Sequence, residues 1–165
     1  MKKRWVGWLA VVVCGAATAC SGGGGGNTCG PANGIVQSIV DGDTIDLASG
    51  ERVRYLMVDT PEISGGTPEC YGTEARDFNS SLVLGLEVQL EYDVECEDRF
   101  GRLLAYVSLG DREVNSLLVE RGFACVLYIP PNGTDRRAEF ESLEATAEGT
   151  ATGMWGDCQE VPCAN

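Results

Sequence analysis

Apolar residues along the chain fall into short runs separated by turn-forming residues, and the spacing within each run predicts its element. Residues 34–41 (GIVQSIVD) are rich in Val and Ile and predict a strand. Asp41-Gly42-Asp43 supplies turn chemistry, residues 44–47 predict a second strand, and Ser49-Gly50 turns the chain into a third over 53–58 (VRYLMV). Residues 59–68 carry Pro61, Gly65, Gly66 and Pro68 and predict a loop. Over 71–84 the period changes to that of a helix, with Ala75, Phe78 and Leu82 on one face and Gly85 as its stop. Residues 88–94 alternate apolar and polar positions strictly, as a half-buried strand does, and 102–109 supply its partner after a turn. A short helix over 114–121, an extended stretch over 123–129 and a last helix over 135–148 complete the series. Five short strands, a helix inserted after the third and two further helices predict a mainly β fold with helices (α+β). The closest architecture is a five-stranded OB-type β-barrel covered by three α-helices.

The N-terminal residues change the picture from a bare domain to an exported one. Lys2, Lys3 and Arg4 precede a short apolar stretch, and Ala16-Ala17-Thr18-Ala19 leads into Cys20. That stretch is shorter than a spanning helix requires, so residues 1–19 are expected to be a signal peptide. The segment is similar to a bacterial lipoprotein signal, which makes Cys20 the expected lipidation site. Ala17-Thr18-Ala19 equally fits ordinary signal cleavage, with free secretion as the result. Five consecutive glycines follow, and residues 20–33 are assigned to the lipidation site and a flexible tether. The domain is expected over 34–157, and 158–165 form a tail. The protein is therefore expected to be exported, to touch a membrane only through the lipid, and to be a monomer.

Cysteine usage and charge narrow the chemistry. Beyond Cys14 and Cys20 the chain has Cys29, Cys70, Cys96, Cys125, Cys158 and Cys163, without a C-x-x-C pair and without any histidine. In an exported chain this even set points to disulfides and away from a thiol nucleophile or a structural zinc site. Net charge is −13, and −16 once Lys2, Lys3 and Arg4 are set aside; every basic residue that remains is arginine. A domain of that charge has no general affinity for polyanions. Any action on nucleic acid must come from a local site.

Four stretches carry candidate chemistry: Val40-Asp41-Gly42-Asp43-Thr44, Arg54, Val58-Asp59-Thr60-Pro61-Glu62 and Asp98-Arg99-Phe100-Gly101-Arg102. Singly they are ordinary hairpin and loop sequences, and Arg54 alone reads as a structural ion-pair partner. In this order and spacing the chain resembles the staphylococcal nuclease family, from about Gly34 to Trp155. The resemblance extends through Tyr71-Gly72, Glu74-Ala75, Leu104-Ala105-Tyr106, Val114-Asn115 and Arg121-Gly122. It implies an OB-type barrel and calcium-dependent hydrolysis of DNA and RNA. It further implies that Asp43, Asp59 and the Thr60 carbonyl hold Ca2+, with Asp41 as an outer carboxylate. Glu62 is then placed to activate or orient water, Arg54 and Arg102 to bind phosphate, and Tyr128 and Arg99 to contact substrate. A hard cation wants several oxygen ligands together, and a guanidinium fork engages two phosphate oxygens, so the residue types suit these tasks. The chain departs from the family where Pro130-Pro131 replaces an expected tyrosine and where surrounding lysines are missing.

The resemblance assigns no role to the cysteines. Cys70 precedes the first helix and Cys96 precedes the 98–102 turn, and both segments are expected to flank the site, so a Cys70–Cys96 disulfide is expected. Cys125 with Cys158 is the next expected pairing, tying the barrel to the C-terminal segment, and Cys29 and Cys163 are left for each other or unpaired. Two other functions stay open on the same barrel: a non-catalytic nucleic-acid-binding module and an acidic calcium-binding surface protein.

Overall fold

The computed structural model describes residues 29–162. The expected signal peptide over 1–19, the expected lipidation site Cys20 and most of the expected tether lie outside the described residues, as does Cys163. Among the described residues eight strands and four helices follow one another. They are β1 Asn33–Ile39, β2 Thr44–Leu47, β3 Arg52–Tyr55, β4 Met57–Asp59, α1 Gly72–Val83, β5 Glu87–Glu97, β6 Leu103–Leu109, β7 Arg112–Glu113, α2 Val114–Glu120, β8 Cys125–Leu127, α3 Arg137–Gly149 and the single-turn α4 Met154–Asp157.

Strands β3-β2-β1-β5-β6 form one antiparallel run, and β3 then pairs in parallel with β6 through Val53↔Leu103 and Tyr55↔Ala105. That last pairing closes a five-stranded barrel, so no long strand edge is left open. Its interior is filled by Ile45, Leu47, Val53, Tyr55, Val88 and Val107, all fully buried, and Leu118 of α2 and Phe140 of α3 seal it. This is the OB-type α+β architecture with three main helices that the pattern predicts.

The expected third strand is two. It stops at Tyr55, Met57 takes a left-handed backbone (φ 67°), and β4 leaves the barrel to pair with β8. Residues 53–58 hide this break because Val53, Tyr55, Leu56, Met57 and Val58 are all buried, leaving no alternation to interrupt. A second departure is on α1, whose buried face carries Asn79, the acceptor of the Tyr55 hydroxyl at 3.0 Å. A polar residue in that position is tolerated because it has a buried partner.

The disulfides correct the expected pairing. Cys70 bonds Cys158 and Cys96 bonds Cys29, while Cys125 is also in a disulfide. Cys70–Cys96, Cys125–Cys158 and Cys29–Cys163 are therefore all excluded. The reason is register. β1 runs antiparallel to β5 with Asn33↔Gln89, so the residues ahead of β1 are carried along β5 toward Cys96. Leu90 N–H donates to Ala32 O (2.9 Å) and the Tyr92 hydroxyl to Pro31 O (2.8 Å) on the way. Residues 29–33 are thus fastened to the barrel. Cys70 lies at the start of α1, on the side where the segment after α4 passes.

Candidate active site

The turn between β1 and β2 brings Asp41 and Asp43 to one end of the barrel. Gly42 is required there by space: a Cβ at that position would sit 2.7 Å from the Thr60 side chain. The turn can therefore lie directly on the chain leaving β4. Asp43 is almost wholly buried, and its Oδ2 accepts from Thr60 N–H (2.8 Å) and the Thr60 hydroxyl (3.0 Å). Its Oδ1 accepts from the Thr44 hydroxyl at 3.1 Å.

Arg54, on β3, is the hub. Its Nε lies 3.1 Å from Asp43 Oδ1 and its Nη2 2.9 Å from Asp59 Oδ1. Nη1 donates to the carbonyls of Val58 (2.6 Å) and Tyr55 (3.0 Å). The kink at Met57 makes this possible, because it folds the start of β4 back under the guanidinium. Two carboxylates, Asp43 from the turn before β2 and Asp59 from the end of β4, thereby converge on one guanidinium.

One guanidinium does not neutralise this corner. Burial pushes Asp41 up to about 7, and the neighbouring Asp43 charge adds to the shift. Burial also raises Asp59; Arg54 works against that, and Asp43, Glu62 and Glu69 reinforce it. Among the described residues no three acidic side chains form a ready-made cage. The oxygen groups gathered here are the Asp43 and Asp59 carboxylates, with Asp41 beside Asp43, and they carry excess negative charge. That composition fits a hard divalent cation whose shell is completed by water and substrate oxygens.

Glu62 is exposed on the loop after β4, within electrostatic reach of Asp59. Its carboxylate accepts from the Ser64 hydroxyl at 3.1 Å. Arg102 follows the turn between β5 and β6 and donates to Asp98 Oδ2 at 2.6 Å. Asp98 Oδ1 in turn accepts the N–H groups of Phe100 (2.9 Å) and Arg102 (3.0 Å), so one carboxylate shapes the turn and aims the guanidinium. Burial alone would raise the Asp98 pKa, but these hydrogen bonds and the Arg102 charge bring it below the usual range.

Arg54 and Arg102 line a single groove of about 540 Å³, with Arg99, Phe100, Leu127 and Ile129 among its walls. Phe100 is 68% exposed, and the guanidinium of Arg99 lies 4.7 Å from its ring centre. Tyr128 does not join the groove walls. Leu127, the last residue of β8, and Ile129 on either side of it do. Its hydroxyl meets Thr134 at 3.1 Å and Arg137 covers its ring at 4.8 Å. No sequence pattern singles out Glu69, an isolated acid in a Gly/Pro loop, whose carboxylate accepts Glu62 N–H at 2.8 Å.

Comparison with known proteins bears on the same segment. Residues 52–157 match the family model described as staphylococcal nuclease homologue, a span that holds Arg54, Asp59, Thr60, Glu62 and Arg102 and begins after Asp43. The chain is 38% identical over 126 residues to the thermonuclease of Staphylococcus intermedius, covering 73% of this chain and 74% of that protein. It is 35% identical over 124 residues to the thermonuclease of Staphylococcus hyicus, covering 72% and 73%. A third relative is the SPbeta prophage-derived endonuclease YokF of Bacillus subtilis (strain 168), 35% identical over 122 residues; the match covers 70% of this chain and only 41% of that protein.

Proposed function

Because the chain belongs to the staphylococcal nuclease family, we propose that its phosphodiester-hydrolysing nuclease site is the Asp43–Arg54–Asp59 corner together with Glu62 and Arg102, acting on DNA and RNA with Ca2+. The observation that carries this reading is Arg54 held between Asp43 and Asp59 at 3.1 and 2.9 Å while lining one groove with Arg102.

Asp43, Asp59 and the Thr60 carbonyl are the residues that would hold calcium, with Asp41 outside them. When bound, calcium polarises phosphoryl oxygens and lowers the pKa of water. Arg54 and Arg102 face the scissile phosphate from two sides, Arg102 through the N–H groups that Asp98 leaves free and Arg54 through its positive charge and the N–H that remains on Nη2. Arg54 is fixed before substrate arrives and Arg102 is aimed by Asp98 alone, and preorganised donors of this kind stabilise growing charge. Glu62 takes or orients the proton of the attacking water, a task that suits an exposed carboxylate at the edge of the site. Arg99 and the exposed face of Phe100 contact the substrate beyond the phosphate. Tyr128, with its ring under Arg137, contributes only if that cover moves.

The disulfides are consistent with an oxidising compartment and thus with export. Lipid anchoring at Cys20 and a monomeric state belong to the same proposal. The test is hydrolysis of DNA and of RNA by the purified protein with calcium and with chelator, in parallel with Glu62→Gln. Activity abolished by chelator and lowered at least about 10²-fold in Glu62→Gln is expected. Full activity in chelator would overturn the calcium assignment, and full activity in the variant would remove Glu62 from the mechanism.

A further inference from the structure

We infer that Glu69 is a positioning residue for Glu62, and that the Cys70–Cys158 disulfide fastens this clamp to the C-terminal segment. The inference rests on the proposed role of Glu62. The loop that carries Glu62 is long and glycine-rich, with Gly65 and Gly66 both at left-handed or near-mirror φ values and nothing packed beside them. Left to itself, such a loop would let Glu62 sample many positions. Misplacing a reacting group by about 1 Å can cost about 10²-fold in rate.

The two ends of the loop are tied instead. Glu62 N–H donates to the Glu69 carboxylate (2.8 Å) and Glu69 N–H donates to Glu62 O (2.9 Å), a reciprocal pair across seven residues. Gly72 N–H donates to Glu69 O at 3.0 Å, which joins the clamp to the first turn of α1. Gly72 also permits the close fit: a Cβ there would meet the carbonyl oxygens of Pro61 and Glu62 at 2.9 Å. Cys70, the residue after Glu69, is bonded to Cys158, 88 positions away, just beyond α4. The loop thus has one short hydrogen-bonded neck, and a covalent bond holds the neck to a distant part of the fold. The clamp itself grips the Glu62 backbone, and the Glu62 carboxylate, exposed and accepting from the Ser64 hydroxyl, remains available to water.

The experiment compares Glu69→Ala, Glu69→Gln, Glu62→Gln and the Glu62→Gln/Glu69→Ala double variant in the full chain, measuring kcat, KM and melting temperature. Glu69→Ala is expected to lower kcat about tenfold or more while KM stays within about twofold, because the phosphate-binding arginines are untouched. Glu69→Gln keeps an acceptor oxygen for Glu62 N–H and should restore most of kcat. In the double variant the Glu69 change should add nothing to the loss caused by Glu62→Gln, since it acts through that residue. Additive losses, or an effect on KM alone, would overturn the inference. If Glu62→Gln itself is fully active, the proposed role of Glu62 fails instead. Cys70→Ser/Cys158→Ser should lower kcat severalfold at temperatures where the protein remains folded, and unchanged kcat there would remove the disulfide from the clamp.

Discussion

Arg54 and Arg102 line the same groove yet are held in different ways. Arg54 leaves 12% of its side chain exposed and has partners in the turn before β2 and on β3 and β4, two of them carboxylates and two carbonyls. Arg102 leaves 30% exposed and depends on one carboxylate, Asp98, inside its own turn. The first is part of the barrel's closure, because its removal strands buried charge. The second is an arm carried on a hairpin, adjustable without disturbing the core. One site therefore combines a fixed cation that defines where the phosphate sits with a local one that can follow it.

The largest effect should come from Arg54→Ala. It leaves Asp43 and Asp59 facing each other without compensation, and breaking a buried pair in this way costs about 3–5 kcal/mol. Urea denaturation of the metal-free protein measures that loss. Calcium should recover part of it, because a divalent ion between the carboxylates replaces the missing charge and binds only the folded state. An equal loss with and without calcium would separate Arg54 from the proposed metal set. Arg102→Ala should reverse the balance, lowering kcat/KM about 10²-fold while stability changes by about 1 kcal/mol or less. If the two substitutions cost the same stability, the contrast between them disappears.

This contrast was only half legible in the sequence. The β1–β2 hairpin can be read from Val/Ile runs around Asp41-Gly42-Asp43, and the family resemblance supplies the set of residues. That Asp43 and Asp59 approach each other follows from the family resemblance and not from strand pairing, because β2 pairs with β1 and β3 while β4 pairs with β8. How Arg54 reaches both follows from neither, because it depends on the Met57 kink inside an unbroken apolar run. Glu69 is invisible for another reason: its importance comes from loop closure over seven residues, and no periodicity records it. The disulfides fail for a third reason. Cys29 meets Cys96 only because of the β1–β5 register, and Cys70 meets Cys158 only through helix packing. Local pattern specifies elements; long-range register specifies which ends meet.

The smallest effect sharpens the local arginine. Asp98 has a folded-state pKa below its usual value, since hydrogen bonds from Arg102 and Phe100 outweigh the cost of burial. A depressed carboxylate contributes stability that is fully present above its unfolded pKa of about 4 and is lost as pH falls through the lower folded value. Asp98→Asn should therefore be less stable than the parent at pH 7, by about 1–2 kcal/mol, through the loss of charge-assisted hydrogen bonds. Once pH has fallen through the lowered folded value the parent's carboxyl is itself protonated, so the two melting curves should converge. A gap that persists unchanged into acid would mean that Asp98 acts through shape alone. Activity at pH 7 should fall less than in Arg102→Ala, because the guanidinium remains on its turn and loses only its aim.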